Sequence, residues 1–280
     1  MRNSGTWGRR AMIFVWSVFA LGPLYWTITT AFKSQIDIYS GPRFGPFIDY
    51  QPTMQAWTTL FGSARSSFLA SLGNSVVFAT MSAALAVLFG ALGAYGLSRH
   101  RYKYGPYKND DLSLLIVSQR IMPPIVSVLA LYVIYVGLRL LDTTSGMILA
   151  YTAANLPLAL YLLRSFFDAI PVEMEHAAAL DGYPRRHRLA KVVFPLAAPG
   201  LAAAFMLSFF FAWNDFLFAL VLTFNKAQTL PLFITSLTAQ SQPLWWLISA
   251  AALIALIPPA LVTLLLDRYM SRQVLAGGLR

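Results

Sequence analysis

The chain has 280 residues, of which 58% are hydrophobic and 11% are charged, and its formal net charge is +10. So low a charged fraction excludes an ordinary soluble globular protein, in which about a quarter of the residues are charged. The sequence contains no cysteine, which excludes disulfides, zinc–thiolate sites and cysteine nucleophiles. The basic residues lie beside apolar segments rather than along one face, which argues against nucleic acid as a partner.

Long apolar segments recur along the chain, and a segment of about 20 such residues can cross a bilayer as a helix. They predict a single all-α integral membrane domain over residues 1–280 with six transmembrane helices. The first segment follows Arg9 and Arg10 as a signal peptide would, but it is too long for one and no cleavage site follows, so we expect an uncleaved anchor. The predicted spans cover residues 11–32, 72–97, 112–138, 144–167, 197–223 and 245–266.

The distribution of basic residues predicts the orientation of these spans. Of the 21 Lys and Arg residues, fifteen lie before the first span or follow the second, fourth or sixth, and five lie in the opposite loops. Loops rich in Lys and Arg stay in the cytoplasm. We therefore expect both the N-terminus and the C-terminus to be cytoplasmic.

The cytoplasmic loop 170–195 between the fourth and fifth spans predicts a helix outside the lipid, over residues 171–181. Pro171 suits the first helical position, where its missing N–H costs nothing. Glu175 lies in the first turns, where the helix macrodipole favours negative charge. Gly182 is typical of the residue that follows a helix. Three consecutive alanines leave a helix surface that another backbone can approach closely.

This loop resembles the EAA loop of ABC-importer permeases. That motif has a Glu-Ala-Ala core, a glycine four residues after the second alanine, and a hydrophobic–x–hydrophobic–Pro end. His176 stands at the usual glutamate position, which is a departure from the motif. The sequence Leu180-Asp181-Gly182 is especially similar to the sugar-importing branch related to the smaller membrane subunit of the maltose transporter. The positions that keep the spacing are Ala177, Ala178, Gly182, Val192, Phe194 and Pro195.

The resemblance implies a type I ABC importer permease fold, and a permease subunit in the bacterial cell membrane that imports a carbohydrate. It implies three partners besides membrane lipid, and no nucleic acid: a second homologous permease subunit, a cytoplasmic ABC ATPase dimer and an extracytoplasmic substrate-binding lipoprotein. The helix 171–181 would couple the chain to the ATPase. The implied coupling residues are Glu175, His176, Ala177, Ala178, Leu180, Asp181 and Gly182.

Nucleotide chemistry is not expected in this chain, because its sequence holds no P-loop motif. We therefore expect no catalytic residue and no cofactor of its own, with ATP and Mg bound by the partner ATPase. The three histidines lack the spacing of metal ligands on one helix, so no metal site is predicted.

Several polar residues fall inside the predicted spans, where such groups usually face protein or water. They are candidates for a hydrated translocation path, although Asn214 and Asp215 fit interhelical packing equally well. For Asn74 we favour packing, and Arg164 is expected to extend to the cytoplasmic boundary of the membrane. The candidate path residues are Gln119, Arg120, Asn155, Trp213, Asn214 and Asp215.

Three other functions compete with this interpretation. A secondary transporter driven by protons or sodium would favour inverted repeats around a midplane ion site, but no such repeat is visible and acidic residues are nearly lacking near mid-membrane. A non-transporting scaffold would leave the cytoplasmic helix unexplained. A membrane-embedded enzyme has the least support, because no acid–base constellation is visible.

Overall fold

The computed structural model describes residues 4–103, 105–239 and 242–277, and these residues form helices joined by turns, with no strand among them. The predicted all-α fold is therefore confirmed. In chain order the helices are α1 (Ser4–Thr30), α2 (Gln35–Tyr39), α3 (Gln55–Leu60), α4 (Arg65–Arg99), α5 (Asn109–Ser118), α6 (Pro124–Leu138), α7 (Thr144–Asp168), α8 (Val172–Leu180), α9 (Arg185–Arg188), α10 (Phe194–Leu196), α11 (Ala198–Trp213), α12 (Leu217–Leu222), α13 (Leu230–Ser236), α14 (Trp245–Ala255) and α15 (Ile257–Gly277).

The helices account for the predicted membrane spans by their length and apolar composition. Within the described residues four segments could cross a membrane, and up to six could do so if each of two bent helix pairs forms one span. The cytoplasmic placement of both termini stays a prediction. Arg2 and Arg280, which contribute to it, lie outside the described residues.

The described residues of Met1–Ala70 and Phe233–Ile257 form one compact unit. Within it, α14 packs against α1, α2 and α3. The Lys33 ammonium, just after α1, donates to the Arg43 carbonyl oxygen at 2.6 Å and lies 4.3 Å from the centroid of the Trp26 ring. These contacts fasten the loop that follows α1 to the end of that helix.

The described residues of Ser71–Leu232 and Pro258–Arg280 form the second unit. Its core contains buried side chains of α4, α7 and α11. Glycine allows α4 and α7 to approach closely, because a Cβ on Gly90 would lie 3.0 Å from the backbone nitrogen of Leu160. Small residues at such crossings are typical of helix packing in membranes. The prediction of one domain over the whole chain stays a prediction.

The third predicted span, 112–138, consists of two helices with a sharp bend between them. Its two parts, α5 and α6, are bent by 89°, and the 3₁₀ turn Gln119–Ile121 lies between them. Pro123 and Pro124 explain the break, because proline lacks a backbone N–H and disfavours the helical conformation of the preceding residue. Pro124 then opens α6, where its fixed φ is favourable.

The fifth predicted span, 197–223, is also interrupted. Helix α11 ends at Trp213 and α12 begins at Leu217. The Asp215 carboxylate accepts the backbone N–H groups of Phe218 and Ala219. It thereby satisfies donors that the first turn of a new helix leaves unpaired.

Candidate functional site

The predicted cytoplasmic helix is present as α8, one residue shorter at each end than expected. Pro171 precedes the helix as its N-cap instead of opening it. At the other end Gly182 has a φ of +82°, in the left-handed region that favours glycine. The Gly182 N–H donates to Ala179 O and the Tyr183 N–H donates to Ala178 O, both at 3.1 Å. This pair of hydrogen bonds is a Schellman motif, which ends the helix sharply.

Helix α8 has two different faces. Glu175 and Ala178, three residues apart, are 6% and 8% exposed, because residues at that spacing lie on the same side of a helix. His176 and Ala177 are exposed, and the Leu180 side chain at the C-terminal end is 90% exposed. One face therefore packs on the protein and the other is free.

Glu175 attaches the inward face of α8 to α4. Its Oε1 accepts from Arg99 Nε at 2.5 Å, and its Oε2 accepts from the Tyr95 hydroxyl at 2.7 Å. Arg99 Nη2 also donates to the Ile170 carbonyl oxygen at 2.9 Å. Both charged side chains are only 8% exposed. Removing one partner of such a buried pair would leave an uncompensated charge, which costs about 3–5 kcal/mol.

The structure thus separates the predicted coupling residues into two groups. Glu175 and Ala178 face the chain itself, and Gly182 shapes the turn. Sequence reasoning did not find the ion pair because its partners are 76 residues apart. A signal was available, since Arg99 follows the second predicted span on the side of the membrane that was also predicted to hold α8. The exposed members are His176, Ala177, Leu180 and Asp181.

A cavity of about 490 Å³ lies in the second unit, and four of the six predicted path residues line it. Two breaks in helical structure reach it, the 3₁₀ turn after α5 and the break after α11, and so does Pro157 inside the continuous helix α7. Irregular backbone at membrane depth is tolerated where it is buried in protein or lines a hydrated cavity. The four predicted residues in the lining are Gln119, Arg120, Asn155 and Asp215.

Arg120 is the cation of this cavity. Its guanidinium carbon lies 4.5 Å from the centroid of the Phe211 ring. Within the described residues it makes no hydrogen bond and no ion pair. The donors of the guanidinium are therefore available to water or to a bound molecule.

Asp215 and Asn155 are already bonded. Asp215 Oδ2 accepts from the Tyr151 hydroxyl at 2.9 Å, in addition to the two N–H groups of α12. Asn155 is 3% exposed, and its Nδ2 donates to Tyr151 O at 3.0 Å. Both residues line the cavity and stabilise its wall at the same time, which unites the two interpretations that the sequence left open for Asp215.

The other two predicted path residues do not line this cavity. Trp213 is 5% exposed and its ring stacks on Phe209, with centroids 5.7 Å apart. Asn214 is exposed and its Nδ2 donates to Phe210 O at 2.9 Å. The Trp213 indole therefore contributes to packing in this conformation.

Two other polar residues of the second unit make more contacts than the sequence indicated. Arg164 pairs with Asp110 at 2.5 Å and with Asp168 at 3.6 Å, and its extension to the membrane boundary stays a prediction. Asn74 packs as expected: its Nδ2 donates to the carbonyl oxygens of Lys226 and Gln228, both at 2.9 Å.

Sequence reasoning missed Asp142, which holds the loop after α12. Its carboxylate accepts four consecutive backbone N–H groups at 2.9 to 3.2 Å. Burial raises the pKa of this carboxyl, but the four donors outweigh burial and hold the pKa below its ordinary value. The donors belong to Phe224, Asn225, Lys226 and Ala227. The pattern is not visible in the sequence, because the donors are backbone groups more than 80 residues away.

Residues 87–275 match the family described as the binding-protein-dependent transport system inner membrane component. Among curated proteins, the sulfoquinovosyl glycerol transport system permease protein SmoH of Agrobacterium fabrum is 33% identical over 94% of this chain and 90% of its own length. The trehalose transport system permease protein SugB of Mycobacterium tuberculosis is 34% identical over 94% of this chain and 93% of its own.

A solved structure has the same fold. It is a bacterial ABC transporter involved in the import of the acidic polysaccharide alginate, with a TM-score of 0.73 and 21% identity over 96% of this chain and 98% of that chain. The family match, the identity to curated permeases and the apolar helices agree. The chain is a multi-pass membrane protein that belongs to the family of binding-protein-dependent transport system inner membrane components, and within it to the sugar ABC transporter permeases.

Proposed function

We propose that this chain is a permease subunit of an ATP-driven importer, that α8 couples it to a cytoplasmic ATPase, and that the cavity around Gln119 and Arg120 forms part of the path of a carbohydrate. The observation that carries the proposal is the buried ion pair between Glu175 and Arg99. It attaches α8 to a transmembrane helix and leaves Leu180 exposed at the end of α8.

This geometry suits a lever. A nucleotide can shift a conformational equilibrium only through contacts that differ between two states, so a coupling element has to be fastened at one end and free at the other. Glu175 supplies the fastening to α4. Leu180, with His176 and Ala177, supplies an exposed surface on which an ATPase subunit can close.

The cavity suits a hydroxyl-rich cargo. Its lining combines hydrogen-bonding side chains with aromatic and aliphatic surface, the mixture that is usual for small-molecule sites. The similar permeases carry names of carbohydrate systems, for trehalose in SugB and for sulfoquinovosyl glycerol in SmoH. These names support a carbohydrate as cargo.

The proposal implies partner chains. One chain offers one α8 helix, whereas an ATPase dimer offers two surfaces, so a second, homologous permease subunit completes the assembly. ATP and Mg would be bound by the ATPase, and an extracytoplasmic binding protein would deliver the cargo. A solved relative of this fold is an alginate ABC transporter in complex with an alginate pentasaccharide-bound periplasmic protein.

Uptake into proteoliposomes tests the proposal against its main rival, an ion-driven secondary transporter. The complex is purified through this chain and reconstituted with its binding protein, and radiolabelled sugars are supplied as a panel. We expect uptake that requires ATP and continues after an ionophore has collapsed the proton and sodium gradients. Uptake that stops with the ionophore and ignores ATP would establish the rival.

A further inference from the structure

We propose that Arg120 makes the cavity select carbohydrates that carry an anionic group, such as a carboxylate, sulfonate or phosphate. This inference rests on the proposed function, because it takes the cavity as part of the cargo path. It adds a substrate class and a residue that determines it.

The first observation is the free donor set of Arg120. A guanidinium has five N–H donors in a planar fork, and none of them has a hydrogen-bond partner within the described residues. Arg99 and Arg164, in the same unit, each have several. Among the arginines of this unit, Arg120 is the one that lines the cavity.

The second observation is the position of Phe211. Its ring lies 4.5 Å from the Arg120 guanidinium carbon and also lines the cavity. An arginine can stack on an aromatic face while its in-plane donors stay free. Phe211 can thus hold the guanidinium at the wall without using the groups that would bind a ligand.

The third observation is that Arg120 forms no ion pair with the carboxylate that lines the same cavity. Asp215 is the one carboxylate among the lining residues, and no ion pair joins it to Arg120 within the described part of the chain. Its Oδ2 already accepts from Tyr151, Phe218 and Ala219. These contacts hold the Asp215 carboxylate against the cavity wall.

These observations leave one exposed guanidinium at the cavity wall without a hydrogen bond or an ion pair within the described residues. In membrane proteins a charged side chain within the spanning segments usually pairs with another group or marks a substrate path. The planar fork matches the two oxygens of a carboxylate, or two of a sulfonate or phosphate, in a bidentate contact. An acidic sugar would supply the missing anion and present its remaining hydroxyls to Gln119 and Asn155.

The test compares the uptake of two cargoes by native and variant complexes. One is a neutral disaccharide, and the other is a disaccharide of the same size with one uronic acid carboxylate. The quantity measured is the ratio of acidic-sugar uptake to neutral-sugar uptake. Every complex uses the same binding protein, so its own preference cancels when the ratios of native and variant complexes are compared. The variants are Arg120→Gln and Arg120→Lys, and the control is Ile121→Gln, in the same turn, 83% exposed and outside the lining.

We expect Arg120→Gln to lower the ratio about tenfold or more, since hydrogen bonds to charged groups contribute about 1.5–3 kcal/mol. Arg120→Lys keeps the positive charge but lacks the planar fork of donors, so its uptake ratio should lie between those of the native complex and Arg120→Gln. Ile121→Gln should keep the native ratio. The proposal is overturned if Arg120→Gln leaves the ratio unchanged or if the native complex accepts only the neutral sugar. Loss of assembly in Arg120→Gln would also overturn it, because that result assigns the guanidinium a partner in another subunit.

If neither cargo is taken up with ATP, the proposed function fails. A binding measurement still tests the anion site in that case. The native complex in detergent is heated with glucuronate or with glucose. We expect glucuronate alone to raise the melting temperature, as a ligand of the folded state does, and we expect Arg120→Gln to lose that shift. An equal response to the two sugars, or a shift that persists in the variant, would refute an anion site at Arg120.

Discussion

The two arginines at Arg99 and Arg120 lie in the same unit but in opposite electrostatic situations. Arg99 is 8% exposed on its side chain and bonds to Glu175 and to the Ile170 carbonyl. Arg120 lines a cavity and contacts the Phe211 ring, and it has no hydrogen bond or ion pair within the described residues. A buried pair fixes the chain to itself, whereas an unpaired cation at a cavity wall is available to another molecule. The comparison separates the residues to which we assign the transmission of movement from the residue that we propose to bind cargo.

The largest effect is expected when the ion pair between Glu175 and Arg99 is removed. Glu175→Ala leaves Arg99 buried without its counter-ion, and we expect a loss of about 3–5 kcal/mol in the docking of α8. Amide hydrogen exchange of α8 in the assembled complex measures it. Glu173→Ala is the matched control, an exposed carboxylate on the same helix, and should change the docking by about 0.5 kcal/mol or less.

A rescue makes this prediction sharper. Replacing both partners, as in Glu175→Leu with Arg99→Met, removes the uncompensated charge and should restore most of the protection of α8. Protection that falls equally in Glu173→Ala and Glu175→Ala would mean that the ion pair does not hold the helix.

The next largest effect concerns Asp142, a half-buried carboxylate whose hydrogen-bond partners are backbone donors rather than a cation. Asp142→Asn replaces one of the two acceptor oxygens of the carboxylate by an NH₂ donor. We expect thermal unfolding to show that the complex is destabilised by about 1–3 kcal/mol. Lys226→Ala is the control, because it keeps the N–H that Asp142 accepts and should be close to neutral. A similar loss in both variants would assign the effect to the lysine side chain.

The pH dependence of this contact follows from the same donors. They hold the folded pKa of Asp142 below its ordinary value of 3.8, so the carboxylate stabilises the fold fully above that value. The contribution is lost as the pH falls through the lower, folded pKa. We therefore expect the difference in melting temperature between the native chain and Asp142→Asn to be the same at pH 7 and at pH 5. A difference that already shrinks at pH 5 would contradict this.

Arg164 tests how much of the effect at Arg99 comes from burial. The two ion pairs have the same N–O distance of 2.5 Å, but Asp110, the partner of Arg164, is 84% exposed. Because water screens such a pair, Asp110→Asn should cost about 1 kcal/mol or less, measured by thermal unfolding beside Glu175→Gln. Equal losses in the two variants would show that burial does not set the difference.

The smallest effect is expected at His176, the departure from the family motif. Its side chain is exposed, and the inward position on α8 is held by Glu175. His176→Glu should therefore preserve assembly and change stability by about 0.5 kcal/mol or less. Loss of the ATPase from the purified complex of this variant would identify His176 as an adapted contact.

Hydropathy predicted the membrane helices well because a bilayer requires long apolar segments. It could not predict their breaks from proline alone: Pro157 stays inside α7, whereas Pro123 and Pro124 separate α5 from α6. The difference lies in which neighbouring groups satisfy the freed backbone.

The candidate site was predictable to a similar degree. The motif predicted α8 and its terminal glycine. The polarity of Gln119 and Arg120 within a predicted span indicated residues that line the cavity. The partner of Glu175 and the amide donors of Asp142 depend on tertiary contacts between distant segments. Trp213 was misleading because an indole beside polar residues can equally pack on Phe209.

Site-directed crosslinking tests most directly that the free face of α8 meets an ATPase. The natural chain has no cysteine, so Leu180→Cys and Ala178→Cys each carry a single thiol, one at a side chain that is 90% exposed and one at a side chain that is 8% exposed. In the assembled complex we expect a bifunctional reagent to join position 180, and not position 178, to the ATPase subunit. Crosslinking from both positions, or from neither, would contradict the proposed coupling through this face.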